Sequence, residues 1–232
     1  MSLWDDIYDA FIYNDRWKYV LSGLENTIIL TVMALILGMV LGVMIASVRT
    51  IHDKNGKLPI LNIICRAYVT VIRGTPVMVQ LLIIYLVVLT PNVIGFRINP
   101  LITGSLAFGL NSAAYVAEIV RSGINAVPAG QFEAARSLGL SFGAMMTTVI
   151  LPQAVKNILP ALCNEGISLL KETSICGVIG VVELTKSYEI IMSFTYQAMV
   201  PLIGIALIYL TMVMILTALV HKLERRLNAN AI

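Results

Sequence analysis

Charge is what this chain has least of. Only 12% of its residues are charged, against 58% hydrophobic, and the mean hydropathy is +0.87. Water-soluble domains carry roughly twice that charged fraction, so a soluble fold is excluded on composition. The formal net charge of +3 is small, and no basic patch interleaved with aromatics occurs, which removes nucleic acid as a partner. Cysteine is scarce as well. Cys65, Cys163 and Cys176 stand far apart in apolar surroundings, an odd count without metal-ligand spacing, and read as small buried hydrophobes. The two histidines, His52 and His221, fall at the edges of apolar runs. No H-E-x-x-H, G-x-S-x-G or G-x-x-x-x-G-K-[ST] occurs, since the one Gly-Lys pair, Gly56-Lys57, is followed by Leu58. Neither hydrolytic catalysis nor a nucleotide phosphate has a place to bind, so the chain reads as a conduit rather than an enzyme. The first residues, MSLWDDIYDAF, are acidic where a signal peptide is basic, so insertion is expected to rely on the first span.

What is abundant is long uncharged sequence. A bilayer-spanning helix needs about 20 apolar residues, and five runs qualify: 26–48, 74–96, 98–117, 137–155 and 190–220. The fourth is blurred, because 151–170 contains Pro152, Lys156, Pro160 and Glu165. The run 173–182 is too short to cross and reads as a short helix or re-entrant element. Gly38-x-x-x-Gly42 suits close helix–helix contact in the first span. The expected architecture is an all-α membrane protein with five transmembrane helices over 21–222, a patterned loop at about 126–145, and a tail over 223–232.

Lysine and arginine in short loops orient the spans. Arg49, Lys54, Lys57 and Arg66 follow the first span, Arg121 and Arg136 follow the third, and Lys222, Arg225 and Arg226 follow the fifth. These fall on one side, expected to be cytoplasmic, with the N-terminus outside. Trp4, Ile7, Tyr8 and Phe11 recur at helical spacing opposite acidic residues. That pattern fits an amphipathic helix over 1–20, lying either on the outer membrane interface or against the protein itself.

The loop at 126–145 opens on Glu133-Ala134-Ala135-Arg136, turns through Gly139, and re-enters apolar sequence that reaches Leu151-Pro152. Pro128 and Gly130 suit a helix start, and Glu133 in an early turn would complement the helix dipole. Ala134 and Ala135 are small enough for another surface to approach closely. Gly139 suits a left-handed C-cap and Ser141 an N-cap for the next helix.

Ionisable and polar groups inside spans are functional candidates. Glu165 is an acceptor for an ammonium group or a structural hydrogen-bond or ion-pair partner, and Asn157, Asn164 and Ser168 form a polar stripe beside it. Arg73-Gly74-Thr75-Pro76 is expected to break the second span, either as a packing kink or to aim freed N–H groups at a carboxylate, with Gln80 next along that helix. Asn111, Tyr115 and Glu118 share a face of the third span, and Glu118 and Arg121 are spaced for an ion pair. Lys171 and Glu172 lie near the outer end of the fourth span, either as interface anchors or, for Glu172, Thr173 and Ser174, as the lining of an outer gate.

EAARSLGLSFGAMMTTVILP resembles the EAA signature of ABC-transporter permease subunits, through Glu133, Ala134, Ala135, Gly139, Val149, Leu151 and Pro152, with valine where isoleucine is commoner. VIRGTPVMVQLLIIY, NSAAYVAEIVRSGI and NEGISLLKETSICGVIGVVEL narrow the resemblance to the polar amino acid uptake group, covering about residues 20–222. The resemblance implies the type I ABC importer permease fold in a bacterial inner (plasma) membrane, paired with a second permease copy, identical or homologous. It implies two cytoplasmic ATPase subunits, which bind ATP and Mg, an extracytoplasmic solute-binding protein, and import of polar or charged amino acids. Glu133, Ala134, Ala135, Gly139, Leu151 and Pro152 would then belong to a cytoplasmic coupling helix and its return. Glu165, Asn164, Ser168, Gly74, Thr75, Gln80, Asn111 and Tyr115 become the candidate substrate contacts. No cofactor is expected in this chain. An ion- or proton-coupled secondary amino acid transporter is the alternative class, against which the missing internal repeat and the odd span count speak.

Overall fold

The computed structural model describes residues 3–229, and what it describes is helical throughout. Residues 1–2 and 230–232, the far ends of the expected N-terminal segment and tail, lie outside the described residues. A short helix α1 (Leu3–Ile7) continues through a π turn (Tyr8–Ile12) and a 3-10 turn (Tyr13–Asp15). Then comes α2 (Trp17–Asn55), a single 39-residue helix. The helices α3 (Pro59–Gly74) and α4 (Val77–Ile83) follow, α4 widening into a π segment, Ile84–Val88. A turn of helix, α5 (Pro91–Ile94), leads to α6 (Pro100–Asn125), and the loop helix α7 (Ala129–Ser137) comes next. The helix α8 (Phe142–Met145) passes through a π segment, Met146–Ile150, into α9 (Leu151–Glu172). A 3-10 stretch (Thr173–Ile179), α10 (Leu184–Thr195) and α11 (Met199–Ala229) complete the chain.

Helix α6 is the axis of the bundle, and small residues let the others reach it. On α2, Leu30, Ala34, Gly38, Gly42, Ala46 and Thr50 recur every four residues and are all buried, a stripe of one helix face. A Cβ on Gly38 would stand 2.9 Å from the Ser112 Cβ, and one on Gly42 would stand 2.8 Å from the carbonyl oxygen of Ala113. In lipid, where hydrophobicity does not drive helices together, such backbone approach supplies the packing energy. Gly42→Leu is expected to wedge α2 from α6 and cost about 1–3 kcal/mol, the usual penalty for overfilling a close-packed contact. The matching measurement is thermal unfolding in detergent, and an unshifted midpoint would contradict the contact.

Two cores stack along α6. One joins Ala46, Val69, Val116, Val120, Ile150 and Ile158 to Phe132 and Ala135 of α7. The other joins Leu30, Ala34, Leu81, Phe108 and Leu169 to Cys176 and Ile179. Between them lies a layer of polar side chains.

The spans correct the charge-free runs in several places. Helix α2 runs past Glu25 and Arg49 at both ends of the 26–48 run, because terminal turns carry charge into the headgroup region without losing hydrogen bonds, and residues 17–20 belong to it rather than to the N-terminal segment. Helix α6 likewise extends beyond 117, to Asn125. The run that starts at residue 74 opens on a 111° bend around Thr75-Pro76, where α3, starting at Pro59, meets α4 and its π segment as a broken or re-entrant pair. The fourth span is α9, entered from α8, rather than 137–155. Lys156 and Glu165 interrupt its hydrophobicity, yet the helix runs through both, with Lys156 exposed and Glu165 half-buried against α6. The fifth starts at Met199, because Tyr196 adopts a left-handed φ of 55° and separates α10 from α11. The expected tail from residue 223 is helix as far as Ala229. Among the described residues only α2 and α11, and the bent α3–α4 pair, are long and apolar enough to span a membrane on composition alone. The interior helices α6 and α9 trade apolar bulk for glycine, alanine and hydrogen-bonding groups. The short 173–182 element is present as the 3-10 stretch Thr173–Ile179.

Candidate functional site

Pro76 builds the polar layer. A helix carbonyl normally accepts from the N–H four residues on, and for Ile72 that residue is Pro76, which has none. The side chain of Gln80 fills the vacancy: its Nε2 donates to the Ile72 carbonyl at 2.8 Å, to the Thr75 carbonyl at 3.0 Å and to Thr75 Oγ1 at 2.8 Å. Its Oε1 accepts from Asn111 Nδ2 of α6 at 2.9 Å. Gln80, Thr75 and Asn111 are thus brought together as a brace across the broken span, and Gln80 and Asn111 are buried. Gly74 is exposed at the bend, with open space around it.

The next residue of α6 faces another helix. Ser112, fully buried, donates through Oγ to Glu165 Oε1 of α9 at 2.9 Å. Glu165 is half-buried, and among the described residues it forms no ion pair. Asn164 points away from α6 and is exposed, as is Asn157, with Ser168 half-buried, so the polar stripe and Glu165 occupy different faces of α9. Tyr115 meets Arg73, whose guanidinium lies 5.3 Å from the ring centroid. Neither Arg73 nor Ser112 is marked in the sequence as a contact of its own: Arg73 reads as a run boundary and the first residue of the break, and a lone serine among alanines is unremarkable.

A groove of about 650 Å³ between α2, α9 and α11 is the obvious cavity. Leu35, Leu162 and Leu219 line it, and it offers a zwitterion nothing to pair with. The polar layer is therefore the better candidate.

At the α7 end, Glu118 takes the expected bond from Arg121 and also one from Arg49 Nη1 at 2.7 Å. Arg49, which reads from sequence as a span edge and an orienting charge, thus ties α2 to α6. Helix α7 docks on this end through Phe132 and Ala135, 7% and 3% exposed, while Glu133, Ala134 and Arg136 face outward. Of the two small alanines, Ala134 alone is open to an approaching surface, and Ala135 lets α7 settle on its own core. Glu133 lies in the second turn rather than the first, since the helix begins at Ala129. Lys54 Nζ lies 4.3 Å over the Phe132 ring, and Gln153 Nε2 of α9 reaches Gln131 Oε1 at 3.4 Å.

The helix stops as the pattern predicts. Gly139 has φ 71°, its N–H donates to the Arg136 carbonyl at 2.9 Å, and Leu140 N–H donates to the Ala135 carbonyl at 3.2 Å. That pair of bonds is the Schellman arrangement. Ser141 Oγ accepts from Ala144 N–H at 3.3 Å as the next N-cap. Leu151-Pro152 does not end the following helix. The π segment Met146–Ile150 widens the turn ahead of Pro152, and the helix continues to Glu172.

Nothing in the local sequence marks Glu183. It is fully buried, caps α10 by accepting from Thr185 N–H at 2.6 Å and Lys186 N–H at 2.7 Å, and takes a bond from Tyr209 Oη at 3.3 Å. It thereby ties the start of α10 to α11.

Comparisons with known proteins agree with this architecture. The chain is 40% identical to the arginine transport system permease protein ArtQ of Bacillus subtilis, over 91% of this chain and 94% of that protein. It is 37% identical to the L-cystine transport system permease protein TcyB of the same organism, over 97% and 91% respectively. A crystal structure of an amino acid ABC transporter with histidines matches with a TM-score of 0.83 and 44% identity, covering 90% of this chain and 94% of that one. Residues 38–229 match the model of the binding-protein-dependent transport system inner membrane component. The chain therefore belongs to the family of inner membrane components of binding-protein-dependent transport systems.

Proposed function

We propose that this chain is the permease subunit of an ATP-driven importer that carries polar or charged amino acids into the cytoplasm. The observation that carries the reading is the family match over residues 38–229, within which the outward face of α7 is a rigid, exposed helix held on the bundle by Phe132 and Ala135. In this reading α7 is the coupling helix. Two separate ATPase subunits bind ATP and Mg and engage Glu133, Ala134 and Arg136, while a second permease, identical or homologous, completes the pathway. A solute-binding protein delivers substrate from the opposite face. The lysine- and arginine-rich loops support a cytoplasmic position for α7 and the C-terminus, with the N-terminus outside a bacterial inner (plasma) membrane.

Relatives named for arginine and for L-cystine share only the α-amino and α-carboxylate groups of their named solutes. Two groups of the polar layer answer to those. Glu165 accepts the ammonium, oriented by Ser112, and Arg73 offers a planar guanidinium to the carboxylate while Tyr115 holds it by its face. Asn164, Ser168 and Gly74, exposed or half-buried in the single chain, line the path, and Gln80, Thr75, Asn111 and Tyr115 keep the bend and the guanidinium in register.

The test is uptake into proteoliposomes containing the permeases with their ATPase and binding protein, across a panel of amino acids. Uptake is expected to require ATP and all three components. Uptake by the permease alone, driven by an ion gradient, would replace this reading with a secondary transporter, a class the family match already disfavours.

A further inference from the structure

The helical segment ahead of α2 has two apolar faces, and the fold uses one of them. Ala10 is fully buried, and the Phe11 ring lies so close to Gly204 of α11 that a Cβ there would collide with it. The neighbouring carboxylates are engaged within the protein: Asp6 accepts from Gln197 Nε2 at 3.1 Å, Asp9 pairs with Arg16 at 3.1 Å, and Asp15 pairs with Lys18 at 2.6 Å. Arg16 is 7% exposed, with its guanidinium 5.3 Å from the Tyr13 ring and 5.7 Å from the Phe194 ring. The opposite face carries Trp4, Tyr8 and Ile12 at four-residue spacing, 78%, 57% and 52% exposed, while Trp17, 44% exposed and beyond the kink at Asn14 and Asp15, lies with Phe11 around a hollow against Gly204 and Ile208 of α11. Among the described residues nothing covers that face.

We propose that this face is seated in the boundary between lipid headgroups and acyl chains, as a collar around the end of the bundle opposite α7. Continuity selects lipid over a protein partner. Trp17 opens α2, and its exposed side runs directly into Leu21, Ile28 and Val32, the outward surface of a helix long and apolar enough to span the membrane. Composition points the same way. Both tryptophans of the chain are exposed at this end of the bundle, and an aromatic body with a polar N–H or O–H tip suits the boundary layer better than either bulk phase. Lys18 Nζ lies 5.8 Å from the Trp17 ring centroid, which sets a cation at headgroup level beside the anchor. Phe194 and Gln197 flank the turn between α10 and α11, so the collar ties that turn to the membrane surface.

The two tryptophans make the experiment direct. Trp17→Phe leaves Trp4 as the sole indole, and Trp4→Phe leaves Trp17. The purified full-length chain is reconstituted in phosphatidylcholine vesicles containing lipid with a nitroxide at the top of the acyl chain or near its terminus. Both indoles are expected to be quenched more by the shallow label than by the deep one, and to be protected from aqueous acrylamide. Quenching of Trp4 by acrylamide as in free indole, with neither lipid label effective, would overturn the collar and leave the face in water. Protection of Trp4 that appears only on adding the solute-binding protein would overturn it too, and assign the face to that protein. Neither readout depends on transport, so failure here is distinguishable from failure of the importer reading.

Discussion

Glu165→Gln is expected to lower amino acid uptake by roughly 10- to 150-fold, while the transporter still assembles and retains basal ATP hydrolysis. The magnitude follows from the interaction removed. A hydrogen bond to a charged group is worth about 1.5–3 kcal/mol, and each 1.4 kcal/mol is a factor of ten. Glutamine is close to isosteric and keeps an oxygen for Ser112 Oγ, which donates to Glu165 at 2.9 Å, so α6 and α9 remain joined. What disappears is the negative charge that, in the proposed site, would face an ammonium group. A carboxylate half-buried between helices, with no cation paired to it among the described residues, is an expensive thing to keep in a bilayer. A purely structural hydrogen bond would not require it. Ser112→Ala is expected to weaken uptake less, because it loosens the carboxylate without discharging it. Unchanged uptake and affinity in the glutamine variant would remove Glu165 from the binding site.

Much of this arrangement is legible in the sequence alone, and the failures have a common cause. Gly38 and Gly42, the break at Thr75-Pro76, the cap at Gly139 and the pair Glu118–Arg121 follow from local chemistry, and each is found where local chemistry puts it. The boundaries of the fourth and fifth spans do not, because an uncharged run measures exposure to lipid and says nothing of helices that face other helices. Lys156 and Glu165 divide a continuous helix on paper, while α10 and α11 merge although Tyr196 separates them. Side chains whose meaning is tertiary are equally silent. Gln80 reads as a polar residue on a pathway until the missing N–H of Pro76 explains its bonds. Arg49 reads as the edge of a span, yet it reaches Glu118 on another helix. Polar positions inside apolar runs supply the candidate substrate contacts, and the family resemblance the coupling residues; contacts across α6 decide which of the former brace the bend and which face outward.

Gly139→Pro is expected to uncouple transport from ATP hydrolysis, with hydrolysis persisting and the amount of solute moved per ATP falling several-fold or more. Two properties of Gly139 are lost together. Its φ of 71° lies in the left-handed region, whereas proline is held near −65°. Its N–H, which donates to the Arg136 carbonyl at 2.9 Å, is absent in proline. The C-terminal turn of α7 then cannot close, and Leu138, 80% exposed just before the glycine, loses its fixed direction. Phe132 and Ala135 still anchor the first turns, so the lesion falls on the stiffness of the outward face rather than on the bundle. Gly139→Ala separates strain from disruption. A Cβ there meets nothing within 4 Å, so alanine costs only the conformational penalty of about 1–2 kcal/mol for a left-handed residue and keeps the N–H. That variant is expected to retain coupling with a slightly lowered unfolding midpoint. The ratio of amino acid imported to ATP hydrolysed in proteoliposomes decides the matter. An unchanged ratio in the proline variant would mean that force enters elsewhere, and α7 would be only a connector between α6 and α8.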